Sequence, residues 1–192
     1  MPGMHEQDPG ACSGTKVTIT KWPTDEVWHE IKRRALETVG LSVKNEPTLG
    51  WKKSILRARH SPIRYGMVSF DIENLPYWVH AELARHHEGC EKYVRSQRND
   101  RQSQYDRNSA RQDAPVNMIY DFNLEAIMVI ANKRLCGQAT KEARWVVGQM
   151  CQQLLTRCPE FEGLLVPYCK YWGKCNEMHS CGWQFVPEDM EA

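Results

Sequence analysis

Glu82, Arg85 and His86 fall at i, i+3 and i+4, the spacing that gathers three ionisable groups on one face of a helix. The chain then runs through His87 and Gly89 into a polar segment. There Lys92, Arg95, Arg98, Arg101, Arg107 and Arg111 outnumber Glu91, Asp100 and Asp106. Guanidinium forks hold carboxylates and phosphates through paired N–H bonds. An ionisable helix face opening into such a loop suits an anionic ligand; a solvated surface loop is the plain alternative for a run of charge. Arg134 lies further on, in a helical stretch whose other inward positions, Leu124, Ile127 and Ala131, are apolar. A charge in that setting needs a partner, either a ligand or an ion pair with Glu82 or Glu142. Near the C-terminus Cys169, Cys175, His179 and Cys181 supply three thiols and an imidazole, a donor set for tetrahedral zinc, with Cys158 as an alternative fourth ligand. Packed or redox-active thiols are the other reading, because no C-x2-C pair is present.

The elements that must carry these residues follow from periodicity. Residues 1–15 are Gly, Pro and polar residues without period, and read as a disordered arm. Val17, Ile19 and Lys21 alternate with Thr18, Thr20 and Trp22 as a short strand. Thr24 can cap a helix with Asp25 and Glu26 at its positive end, a buried stripe of Trp28, Ile31, Ala35 and Val39, and Gly40 at its close. Residues 41–56 give no clear period, though Trp51 and Leu56 are expected in the core. Met67 to Ile72 alternates, with Val68, Phe70 and Ile72 inward. Pro76 fits the first turn of the helix carrying Glu82 and Arg85. After the arginine-rich segment, Pro115 precedes a long helical region. Leu124, Ile127, Met128 and Ala131 mark one helix, and Ala143, Val146, Val147, Met150 and Leu154 the next, with a break at Gly137. Strands and helices are mixed without strict alternation, so the expected class is α+β: one domain, a mixed or antiparallel sheet packed with long helices. The expected divisions are an arm over 1–15, a main domain over 16–165 and a Cys-rich tail over 166–192.

With 192 residues the chain is long enough for one real core, and 41% of it is hydrophobic. A formal net charge of +1 provides no global field toward nucleic acid or membrane, so an anion site must be local. No apolar run reaches membrane-span length, and no signal-peptide stretch opens the chain, so the expected location is cytoplasmic. In that setting the eight cysteines read as reduced thiols or metal ligands.

Several segments, taken in order, resemble the flavin-dependent thymidylate synthases (the ThyX family). Arg85-His86-His87 followed by Ser96-Gln97-Arg98 resembles the family signature R-H-R-x-x-S-x-N-E-x-S-x-R, with His87 at its third position and the central Ser, Asn and Glu absent. His60-Ser61-Pro62 is similar to the family's H-x-[ST]-P element, and Arg64 stands where a Glu is usual. Ala110-Arg111 through Pro115 is similar to A-R-x-x-L-P. Asn123-Leu124-Glu125, then Lys133-Arg134-Leu135, then Gln138-Ala139 through Glu142 and Arg144 are similar to N-L-R, L-R and A-Q-W-E-I-R, with Arg134 on the arginine of L-R. In that alignment Glu125 and Val129 replace an Arg and an Asn, Gln138 a common His, and Glu82 a Gln. The tail G-K-C-N-E…S-C-G is close to a Cys-rich ending of some bacterial and phage members.

The resemblance implies a homotetramer that binds FAD and moves a one-carbon unit from methylenetetrahydrofolate to C5 of dUMP. NADPH is the reductant, dTMP the product, and no protein nucleophile attacks the pyrimidine. It implies FAD contacts at Ser61, Arg64, Arg85, His86, His87, Asn123 and Gln138. It implies dUMP contacts at Glu82, Arg85, Ser96, Arg98, Arg111 and Arg134, with Arg134 the catalytic group that polarises the uracil. Zinc at Cys169, Cys175, His179 and Cys181 remains an expectation of the donor set. A related deoxyuridylate-modifying enzyme, such as a hydroxymethylase, is one alternative. A non-enzymatic zinc and nucleic-acid-binding module is another, opposed by the net charge and the long apolar helices, so no nucleic-acid partner is expected.

Overall fold

Residues 16–21, 67–76, 90–94 and 115–123 meet in one antiparallel sheet because each can turn alternate apolar side chains to the same side. The computed structural model describes residues 9–98, 100–101, 106 and 108–181. Strands β1 (Lys16–Lys21), β2 (Met67–Pro76), β3 (Cys90–Val94) and β4 (Pro115–Asn123) lie in the order β1-β2-β4-β3. Across the central pair, Val68 faces Phe122, Phe70 faces Tyr120 and Ile72 faces Met118, and all six are buried. Such directly opposed apolar pairs fix the register, since a one-residue slip would turn the whole set to solvent. A bulge lies between Ile72 and Leu75, where Asn74 has φ 56° and its N–H donates to Asn117 Oδ1 at 2.9 Å.

The helices are α1 (Asp25–Glu37), α2 (Leu49–Arg57), α3 (Tyr77–Leu83), α4 (Leu124–Arg134), α5 (Lys141–Arg157) and α6 (Tyr168–Trp172). Helix α5 buries Ala143, Val146, Val147, Met150, Cys151 and Leu154, the stripe its sequence period demands. One continuous core runs from Cys12 to Leu165, so the α+β class and the antiparallel sheet stand as expected. Among the described residues no helix is long and apolar enough to cross a membrane.

Several local expectations change. The helical region expected after Pro115 begins with β4, one of the two central strands, and only from Leu124 is it helical. Val116, Met118, Tyr120 and Phe122 alternate and are buried, so a period of two wins there. The polar segment after Gly89 contains edge strand β3, and Lys92 lies on it. Helix α3 stops at Leu83, so Arg85 and His86 sit in the turn beyond it and share no helical face with Glu82. Pro76 precedes α3 as the last residue of β2 rather than standing in its first turn. Val39 lies beyond the end of α1 and is 65% exposed, while Trp51 is half-buried. Thr24 takes the N-cap position of α1, but its hydroxyl donates to Glu26 and caps no backbone N–H. Of the arm read over 1–15, residues 9–15 are anchored to the core at Cys12 and Thr15. Gly10–Cys12 forms a 3-10 turn, Cys12 and Thr15 are buried, and Ala11 N–H lies 3.4 Å from Glu142 Oε1. Residues 1–8, Arg107 and residues 182–192 of the tail lie outside the described residues.

Candidate functional site

The sheet brings the ends of α3 and α4 together. Strand β2 passes directly into α3, and β4 passes directly into α4 at Asn123, whose Oδ1 accepts from Ala126 N at 2.8 Å. That cap turns an extended strand into a helix within one residue. Beneath the junction, Tyr120 Oη lies 3.0 Å from Leu83 O and 3.3 Å from His86 O, so its one hydrogen is shared between carbonyls of the turn that follows α3. The Cys90 thiol donates to His86 O at 3.0 Å. Gly89 has φ 69°, and its own backbone carbonyl accepts from Asn123 N at 2.8 Å. A Cβ on Gly89 would come within 2.4 Å of Asn123 Nδ2, so glycine is required for both the turn and the close approach.

Arg134, in the last turn of α4, reaches across this junction. Its Nη1 donates to Glu82 Oε1 at 2.7 Å, its Nη2 to the backbone O of Glu82 at 3.1 Å, and its Nε to His86 Nε2 at 2.9 Å. The other Glu82 oxygen, Oε2, accepts from Thr140 Oγ1 at 2.7 Å. The two charged side chains are 17% and 16% exposed, a half-sheltered pair that keeps some access to solvent. Of the partners left open by sequence, Glu82 rather than Glu142 is therefore the one that Arg134 meets. Two N–H hydrogens of the guanidinium fork remain beyond these three bonds.

His86 is driven well below its ordinary value, to about 4, first by burial and then by the positive Arg134 beside it. It is neutral at physiological pH. Because Nε2 accepts from Arg134, the ring proton is on Nδ1.

The remaining expected residues divide into groups. Ser61 and Arg64 lie exposed on a 3-10 turn, Ser61–Tyr65, next to the start of α4. Arg64 Nε donates to Glu125 Oε2 at 2.5 Å. The two residues form an ion pair with each other. Arg85 and His87 are exposed, and His87 Nδ1 lies 3.0 Å from Arg85 O. Arg98 engages Asp100 through two bonds, at 2.9 and 2.6 Å, and its N–H donates to Ser96 Oγ at 3.3 Å. Arg111 engages Asp113 at 2.9 and 3.3 Å. Among the described residues no hydrogen bond joins Ser96, Arg98 or Arg111 to the Arg134 cluster. Gln138 donates to His179 O at 2.8 Å and so faces the C-terminal segment.

The metal expectation is not met. Cys175, His179 and Cys181 are exposed and Cys169 is half-buried on α6. Among the described residues no group of three His, Cys, Asp or Glu side chains is placed to hold a metal ion. Cys158, the alternative fourth ligand, belongs to the core, where burial pushes its thiol up to about 12. Thr140, outside the expected site residues, stands just before the apolar period of α5, and it serves both as the cap of α5 and as a donor to Glu82. Asn132 was missed altogether.

No family model matches the sequence, and no curated protein matches it. Solved structures do match in shape. Thymidylate Synthase X from Helicobacter pylori with FAD and dUMP superposes with a TM-score of 0.59 at 13% identity, over 79% of this chain and 97% of that one. A second structure of the flavin-dependent enzyme from that organism, complexed with FAD and dUMP, gives 0.63 at 13% identity, over 78% and 99%. A UMP/dUMP methylase, PolB from Streptomyces cacaoi bound with 5-Br dUMP, gives 0.57 at 13% identity, over 79% and 97%. The chain has the ThyX fold.

Proposed function

We propose that this chain is a flavin-dependent enzyme that modifies C5 of dUMP, with FAD as cofactor. In the finer form of the proposal it makes dTMP with methylenetetrahydrofolate as one-carbon donor and NADPH as reductant, in a cytoplasmic homotetramer. The observation that carries it is the half-sheltered Arg134, held between Glu82 and neutral His86 at the α3–α4 junction, in a fold whose solved examples are described with FAD and dUMP.

The donor set fits a phosphate-bearing flavin. Ser61 offers a hydroxyl, Arg64 and Arg85 offer guanidinium N–H groups, and all three are exposed. Asn123 fits in part, since its Oδ1 serves as the α4 cap and only Nδ2 is left to donate. When bound, the flavin supplies the reduction step, a division of labour in which the protein orients and polarises. Arg134 directs its remaining N–H hydrogens toward a pyrimidine carbonyl and stabilises negative charge that develops on the ring. Glu82 holds the guanidinium in place and must share it when a ligand arrives. Neutral His86 donates from Nδ1 and adds no charge that would repel a cation or compete for an anion. Ser96 suits the nucleotide phosphate as it stands, and Arg98 and Arg111 suit it once their bonds to Asp100 and Asp113 are exchanged for it.

The test is a product assay. Purified protein with FAD, NADPH, methylenetetrahydrofolate and dUMP should yield a nucleotide heavier than dUMP by one methyl group, detected by mass spectrometry. A hydroxymethyl product would keep the reaction class and replace the finer assignment. Unchanged dUMP with protein that binds neither FAD nor dUMP would overturn the proposal.

A further inference from the structure

Asn132 is fully buried on α4, two residues before Arg134. At about 100° per residue the two side chains leave the helix roughly 200° apart, so they project from nearly opposite sides of its last turn. Arg134 takes the side facing Glu82 and His86. Asn132 takes the side facing the chain that returns from α5, where its Nδ2 donates to Leu164 O at 3.2 Å and to Val166 O at 2.5 Å. Its Oδ1 accepts from Arg59 Nη2 at 2.6 Å. Both amide hydrogens and the oxygen are engaged, so the side chain has a single satisfied orientation.

Arg59 is itself set with care. It adopts φ 50° at the end of α2, immediately before His60 and Ser61. Its guanidinium lies 4.9 Å from the centre of the Tyr171 ring. Among the described residues its Nε has no hydrogen-bond partner, so the bond to Asn132 and the Tyr171 face are what orient it. A strained backbone conformation retained at one non-glycine residue marks a place where the surroundings over-determine the geometry. Arg59 thus ties the Ser61 turn to the end of α4 that bears Arg134.

We propose that Asn132 is a positioning residue: its amide, fastened to Arg59 and to the chain between Leu164 and Val166, fixes the rotation of the last turn of α4 and so the direction in which Arg134 leaves it. The inference deepens the functional reading, because a guanidinium aimed by a buried amide is preorganised for whatever ligand it meets. Its physical content does not depend on that ligand.

The experiment is nitrogen NMR of histidine-labelled protein without ligand, with dUMP affinity as a second readout. In wild-type protein at neutral pH, His86 should show the Nδ1–H tautomer, because Nε2 accepts from Arg134. Asn132→Ala, and independently Arg59→Lys, which keeps the charge but loses the planar fork, should move His86 toward a mixture with Nε2–H. Each should also weaken dUMP binding about tenfold, the loss of one hydrogen bond to a charged group. Tyr171→Phe removes the bond from Tyr171 Oη to Arg57 O and leaves the Asn132 network intact. That variant should keep both the wild-type tautomer and the wild-type dUMP affinity even where its melting temperature falls. A folded Asn132→Ala or Arg59→Lys protein with wild-type His86 tautomer would overturn the inference, as would a wild-type His86 protonated on Nε2. Should Asn132→Ala fail to fold, Arg59→Lys carries the same comparison. Tautomer changes in the two variants as expected, together with a wild-type protein that binds no dUMP, would remove the functional reading and leave the positioning role standing.

Discussion

Replacing Arg134 by alanine removes three hydrogen bonds at once and leaves the Glu82 carboxylate with Thr140 as its remaining partner. Breaking a fully buried ion pair costs about 3–5 kcal/mol, but Glu82 is 16% exposed and water can reach it, so the expected cost is about 2–3 kcal/mol. For a domain of this size that corresponds to a melting temperature lower by about 4–12 °C. The same change should weaken dUMP binding about tenfold to a hundredfold, from the loss of a charge-assisted bond, with FAD content little altered. The double variant Glu82→Gln/Arg134→Ala separates the two effects. It removes the stranded charge and should regain most of the lost stability while dUMP affinity stays low. Calorimetry and dUMP titration on the three proteins decide the matter. A double variant that recovers dUMP affinity together with stability would refute the reasoning, because Arg134 would then be only half of a structural pair.

Two further outcomes follow from the same junction. Below pH 6.5 the unfolded chain takes up a proton on His86 that the folded chain does not accept until about pH 4, so stability is lost as pH falls through that window. The full depression corresponds to about 3 kcal/mol, which partial solvent access reduces to roughly 1–2; His86→Gln should flatten this part of the stability–pH curve, and an unchanged slope would count against the neutral, Arg134-bonded ring. Gly89→Ala should cost about 1–2 kcal/mol for its positive φ and about 1 more for displacing the Asn123 cap. Thermal melting reads the sum, and a variant as stable as wild type would show that the Gly89–Asn123 approach is looser than described.

The long helices were legible in the sequence because their apolar period persists over enough turns to be unambiguous. The stripe of Ala143, Val146, Val147, Met150 and Leu154 is the clearest case, and all five are buried. β4 was harder. Val116, Met118, Tyr120 and Phe122 alternate cleanly, yet the strand runs without a turn into α4, so the helical period of Leu124 to Ala131 masks the change of period at Asn123. Asn123 is itself the punctuation, a capping residue that ends one element by starting the next. Within the site, the need of Arg134 for a partner followed from burial of charge among apolar neighbours, and Glu82 was one of the two candidates. The shared face expected for Glu82, Arg85 and His86 failed because α3 stops at Leu83, where carbonyls of the following turn bond instead to Tyr120 and Cys90. The two bonds from Tyr120 are non-local, spanning 37 and 34 residues of chain, and are invisible to any spacing rule. The Arg64–Glu125 pair was equally illegible, because the two residues lie 61 positions apart in the chain and meet only in space.

The central claim, that this chain binds a flavin and dUMP at one site, is tested most directly by absorption spectroscopy of the purified protein. The protein incubated with FAD and freed of excess should be yellow, and adding dUMP should perturb the flavin bands in a saturable way, with the perturbation weakened in Arg134→Ala. A colourless protein that shows no saturable change with dUMP would contradict the claim.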